Sequence, residues 1–256
     1  MRGTRRLSVS RSLGAAASAA AAGYGAYAAA TWHCYGRVRA AAPGEDDPLL
    51  EQFMPAYEIV ERHHVRVDAP AELTLASAGE MDMSRSAVVR AIFKARELIL
   101  GAAPDETPRP AGLVANVLSL GWVVLAEHAG REIVFGAVTR PWEADVVFRS
   151  IPPEQFAPFA EPGYVKIAWT LRADPVDGDG SIFRTETRAV ATDAAARARF
   201  RLYWALLSPG ITIIRRMMLE PVKAEAERRT AALLRGVRRE ESPGVRGDFR
   251  GAPRQA

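Results

Sequence analysis

The chain has 256 residues, enough for one domain of ordinary size plus appendages. Its 34 Lys+Arg stand against 30 Asp+Glu, with the excess at the two ends: Arg2, Arg5, Arg6 and Arg11, then Arg228 to Arg254. A near-neutral middle speaks against nucleic acid as the partner, and the lone Cys34 excludes an intramolecular disulfide framework and a multi-cysteine metal site.

Residues 13–31 (LGAAASAAAAGYGAYAAAT) carry no charge, over about the length of a membrane-crossing helix. Four arginines precede them, and Trp32, Tyr35, Arg37 and Arg39 follow, in the order of an interfacial belt. The run is weakly apolar, being mostly Ala and Gly. It reads as a single membrane anchor with the domain on the extracytoplasmic side. The alternatives are a signal cleaved near Ala28-Ala29-Ala30, leaving a secreted protein, and a soluble Ala-rich leader. Residues 1–39 therefore form a basic leader. Residues 40–54 (AAAPGEDDPLLEQFM) read as a linker, rich in Pro, Gly and acids, ahead of a domain at 55–235.

Tyr57–Asp68 alternates as a strand, with Val60 and Glu61 breaking the pattern as a bulge or a polar wall position would. Asp68 is then placed to cap a helix through Glu72, Leu73 and Leu75. Ser84 or Ser86 opens a second helix, which Gly101 ends, with Val88, Val89, Ile92, Phe93, Leu98, Ile99 and Leu100 as its buried stripe. Residues 102–112 hold three prolines and read as a loop. Strands are expected at Gly121–Glu127, Glu132–Thr139, Trp142–Arg149, Tyr164–Ala173 and Ser181–Thr192, with Asp177-Gly178-Asp179-Gly180 as a hairpin turn. Asp193 caps a last helix in which Phe200, Tyr203, Leu207, Ile211, Ile214 and Met218 keep a three-four spacing across Pro209, so it is kinked or made of two collinear parts. The basic tail 236–256 reads as disordered.

The order is strand, two helices, antiparallel strands and a long closing helix. With the stretch HVRVDAPAEL (His64–Leu73), it resembles the START-like helix-grip superfamily, which includes Bet v 1-like proteins and polyketide cyclases. The resemblance covers about residues 55–230. It implies an α+β fold with a curved antiparallel sheet wrapped around a long kinked C-terminal helix, and two short helices after the first strand. It also implies a cavity for a hydrophobic small molecule or lipid. Pro209 departs from the pattern by interrupting the gripping helix.

For such a pocket, Trp142, Trp169, Phe183, Tyr203 and Leu207 are the candidate apolar lining, and Thr185 and Thr187 could bond a head group. Each is also ordinary core or strand filler. His63 and His64 point to opposite faces and cannot share a metal. His63 is a candidate general base only beside a carboxylate, and Glu61 is the one its own strand offers. Glu186 between Arg184 and Arg188 reads as an external ion-pair ladder. Arg215, Arg216 and Lys223, near Met217 and Met218, could meet lipid phosphates. Nothing implies a cofactor or a metal, and GxSxG, HExxH, Walker and dinucleotide signatures are absent. The functional reading is a membrane-tethered binder of a hydrophobic molecule. The alternatives are a cyclase- or hydrolase-like enzyme in the same cavity and an interaction module without ligand.

Overall fold

The computed structural model describes residues 3–103, 107–176 and 178–240; Asp177 of the expected hairpin turn and the tail 241–256 lie outside them. The fold is α+β. Five strands, β1 (Ile59–Val67), β2 (Val123–His128), β3 (Glu132–Thr139), β4 (Val165–Pro175) and β5 (Ser181–Ala191), form one open antiparallel sheet in the order β1-β5-β4-β3-β2. The pairing of β1 with β5 runs without a shift from Ile59↔Ala189 to Val67↔Ser181, so there is no bulge at Val60-Glu61. The irregularity falls in β2 instead, between Val124 and Ala126.

Trp142–Arg149 is not a strand of the sheet, despite its alternation. The recorded pairing of β2 with β3 ends at Val123↔Gly136, and the free stretch of β3 beyond it takes only one bridge, Val138↔Arg149. The Thr139 hydroxyl donates to the Val147 carbonyl and ties the segment down. The residues before Val147 have no strand partner and run as turns and bends.

Odd-numbered residues of β1, β4 and β5 point to one face, called inner here. Helices α3 (Ala71–Glu80), α5 (Leu113–Ser119), α7 (Ala194–Met217) and α8 (Leu219–Glu240) pack on it. Together α7 and α8 make the long bent C-terminal element. The helix runs on through Pro209 and breaks at Met218, with Pro221 in the first turn of α8. Asp193 caps α7 as expected, accepting from the Ala195 and Ala196 amides. Pro70, not Asp68, stands at the N-cap of α3. The Asp68 amide instead donates to Glu227 of α8. Ser86 caps α4 (Ala87–Leu100), and Gly101 ends it with φ of 70°. The expected buried stripe of α4 is not buried: Val89 is, but Val88, Phe93, Leu98 and Ile99 are exposed.

The other face is covered too. The segment expected as a linker contains α2 (Pro48–Phe53), capped by Asp47 and opened by a proline at its first position. Leu49, Leu50 and Met54 join Val134, Val138, Ala168 and Leu125, with Phe156 of the short α6 (Pro153–Phe156), in an outer core. Burying a side chain such as Leu50 contributes about 2 kcal/mol, which holds this segment on the sheet.

Residues 13–31 lie within α1 (Gly3–Cys34), which packs against α7. Among the described residues, no helix is long and apolar enough to cross a membrane. The C-terminal end of α1 is tethered below Trp32: the Tyr35 hydroxyl donates to Glu58 at 2.6 Å, and Arg197 of α7 pairs with the same carboxylate at 2.8 Å. Burial and the bond to Glu58 push the Tyr35 phenol well above its usual range.

Candidate functional site

The apolar residues of the inner face fall into two clusters rather than one. At one end Ile59, Val165 and Ala189 meet Phe200 and Trp204 of α7. At the other, Val67, Leu171, Ala173 and Phe183 meet α3 and Met218, Val222 and Ala226. Between these clusters the odd positions of β1 and β5 are polar: Glu61 opposite Thr187, and His63 opposite Thr185. The next strand continues one row, with Trp169 opposite Thr187 and Phe135 opposite Trp169.

This polar seam is poorly satisfied internally. His63 Nε2, Thr185 Oγ1 and Thr187 Oγ1 are buried and have no hydrogen-bond partner. Glu61 comes within 3.3 Å of His63 Nε2, close enough to interact electrostatically but not aligned as a hydrogen bond. From α7, the Arg215 guanidinium lies 4.5 Å from the centroid of Trp169, and that ring is stacked on Phe135 at 4.6 Å. Dense surroundings disfavour the charged guanidinium and lower its pKa to about 10, with Glu61 pulling the other way. It is still a cation at neutral pH. The seam thus holds a cation, a carboxylate, an imidazole and two hydroxyls beside a stacked aromatic pair.

The residues singled out from the sequence divide across this face. Trp169, Thr185, Thr187 and His63 meet at the seam. Phe183 is wholly buried in the cluster with α8. Trp142 and Tyr203 flank the other cluster, Tyr203 stacking on Phe200 at 6.1 Å. Leu207 is half-buried on α7. Sequence reasoning missed Arg215 as an inward residue, having placed it outside with Arg216. The missed signal was its step of four from Ile211 and of three to Met218, which continues the inward phase of the helix. Arg216 is exposed.

Two cavities are present, a groove away from the seam and a small pocket that His63 and Thr185 of the seam also line. An apolar groove of about 550 Å³ runs between α3, α5 and the β2–β3 turn, walled by Leu75, Val114, Leu118 and Ile133. A polar pocket of about 20 Å³ lies where Arg62, Arg172, Arg184 and Glu186 meet Asp47. Trp142, Trp169, Phe183, Thr187, Tyr203 and Leu207 line neither.

No family model matches the chain, and no curated protein does. Solved structures that it resembles include a hypothetical protein from Helicobacter pylori, with a TM-score of 0.36 and 8% identity over 74% of this chain and 99% of that one. The Zhui aromatase/cyclase from Streptomyces gives a TM-score of 0.23 and 17% identity over 67% and 95% of the two chains. A Chromobacterium violaceum protein gives 0.25 and 13% over 60% and 95%. Likeness at this level says nothing of what this chain binds.

The arginine-rich outer face is structural. Glu186 is not on an exposed ladder, because α2 closes over it. Arg62 Nε and Arg188 Nε donate to its two oxygens at 2.9 and 2.7 Å, and Arg188, only 3% exposed, also reaches Glu51 and the Met54 carbonyl of the covering segment. Nearby, Glu132 is buried against the Asp47 carboxyl. Burial first, then the bond to Asp47, push the Glu132 pKa up to about 8.

Proposed function

We propose that the protein binds an amphipathic small molecule or lipid with an oxygen-rich head group between the inner face of the sheet and α7. One observation carries this reading: three buried, unpartnered polar atoms lie on facing residues of adjacent strands, beside a cation. Each such atom costs about 1–3 kcal/mol unpaired. A carboxylate, phosphate or carbonyl brought among Arg215, Thr185, Thr187 and His63 would offset that cost. The Trp169–Phe135 pair and the neighbouring apolar cluster would take the ligand's carbon. Admission requires α7 to lift from the sheet, and the break at Met218 with Pro209 inside the helix supplies two joints.

The test starts from the full chain, purified gently and extracted with solvent to identify any bound molecule. T185V/T187V should then make the empty protein more stable, since it removes unpaired hydroxyls, while weakening a fluorescent long-chain fatty acid by about tenfold or more. Unchanged affinity in both this variant and Trp169→Ala would return the seam to plain core packing.

The second reading, a cyclase- or hydrolase-like enzyme, is favoured by the Glu61–His63 approach at 3.3 Å. It makes His63 a base oriented by Glu61, with Arg215 opposite to stabilise a developing oxyanion. Under it, His63→Ala loses turnover but keeps ligand; retained turnover removes His63 from any mechanism.

A further inference from the structure

We infer that α1, α4 and α7 form one face that docks on the surface of an anionic lipid bilayer, with α1 lying in the plane of the membrane rather than across it. The helices are contiguous. Tyr24 donates to the Leu206 carbonyl of α7, Tyr27 shares a hydrogen bond with Ser208 at 3.0 Å, and Arg201 donates to the Trp32 carbonyl while lying over its ring. On the far side α4 reaches α7 at Gly210, where an added Cβ would come within 2.8 Å of Ile92. The apolar side chains left in water are concentrated here. On α4, Phe93, Leu98 and Ile99 are 50%, 75% and 62% exposed, and on α7 Leu202, Leu206 and Ile213 are exposed too. Tyr24, Tyr27 and Trp32 of α1 are likewise exposed aromatics. Apart from a half-buried Ala28, residues 18–30 of α1 are open to solvent.

Charge selects the occupant. Leaving out Arg215, which turns inward at the seam, the three helices hold ten of the chain's 34 Lys+Arg but only one, Glu97, of its 30 Asp+Glu, which leaves 24 against 29 for the rest. A face with this excess repels a second copy of itself and attracts an anionic surface. Exposed Leu, Ile and Phe among the charges give a nucleic acid nothing to bond. They suit the boundary between head groups and acyl chains, where tyrosine and tryptophan also settle. A helix of alanines with aromatics on its flank is too weakly apolar to span, but it can lie at that depth.

The experiment is flotation of the full chain with phosphatidylcholine vesicles, with and without about 30 mol % phosphatidylserine. Binding should need the anionic lipid and fall by about tenfold or more between about 0.05 and 0.5 M salt. L98E/I99E changes only exposed side chains, so it should leave the circular dichroism and melting unchanged while lowering vesicle binding about tenfold. Equal binding to neutral vesicles, no binding to either, or full binding by the double variant overturns the proposal. Two further results also overturn it. Duplex DNA bound as tightly at the same salt would make the face a nucleic-acid surface. A lipid-free dimer lost in L98E/I99E would make it a self-interface.

Discussion

Replacing Glu186 by Ala tests whether the outer face is held by a buried charge network or merely decorated by ions. In the folded protein Glu186 accepts from Arg62 at 2.9 and 3.1 Å and from Arg188 at 2.7 Å, and only 5% of the residue reaches solvent. Removing one member of a buried pair typically costs about 3–5 kcal/mol, because the partner's charge stays behind. Here the loss is cushioned. Arg188 keeps Glu51 and the Met54 carbonyl, and Arg62 keeps the Arg39 carbonyl and the Tyr57 hydroxyl. The expected cost is therefore at the lower end, about 3 kcal/mol, or a melting point lower by about 6–12 °C for a domain of this size. Urea unfolding followed by far-ultraviolet circular dichroism reads it directly, with Glu143→Ala, at the exposed Arg140–Glu143 pair, as a control with an unchanged midpoint. If Glu186→Ala loses less than about 1 kcal/mol, the burial argument fails and the network is as weak as a surface pair.

Glu132 gives a pH test of the same face. Its folded pKa of about 8 lies above the unfolded value, so the native state holds the extra proton. Stability is then full below the ordinary carboxyl range and drains as pH rises toward about 8, by at most about 1.4 kcal/mol per unit. Glu132→Gln should flatten that slope in urea midpoints measured between about pH 5 and pH 8; an unaltered slope would assign it to another group. Leu50→Ala should cost about 2–5 kcal/mol by chemical denaturation, since Leu50 is fully buried; a negligible loss would mean that α2 is a loose appendage. Gly136→Ala should cost about 1–3 kcal/mol in the same assay, because its Cβ would sit 2.5 Å from Leu125 and 2.9 Å from Phe156; a neutral change would show that both side chains can retreat.

Where local chemistry decides, the sequence was readable. β3 lies where its alternation and flanking turn put it, and Ser86, Gly101 and Asp193 terminate helices as their side chains and φ allow. The misreadings share a cause, which is that the partner is remote in sequence. Residues 142–149 alternate as a strand does, but pairing depends on how far β2 covers β3, and β2 starts only at Val123, opposite Gly136. The acidic, proline-bearing stretch before residue 55 has a linker's composition, although Asp47-Pro48 followed by Leu49 and Leu50 is also a capped apolar turn. The seam was half legible. Period-two alternation put His63, Thr185 and Thr187 on one face, but only the register set His63 against Thr185, and only the path of α7 delivered Arg215.

The two margins of the sheet carry a consequence for how copies of the protein meet at high concentration. An unpaired margin is an invitation to a passing chain, which can add itself as one more strand. At one margin, β1 carries polar or charged Glu61, Arg62, His63, His64 and Arg66 within six consecutive positions, with His64 and Arg66 exposed, so a newcomer would meet polar side chains rather than an apolar strip. At the other, β2 is six residues long, irregular between Val124 and Ala126, and ends in Glu127 and His128. Neither margin is a straight apolar template, so crowded molecules have little means of zipping together into fibrils, even with so much apolar surface on the helices.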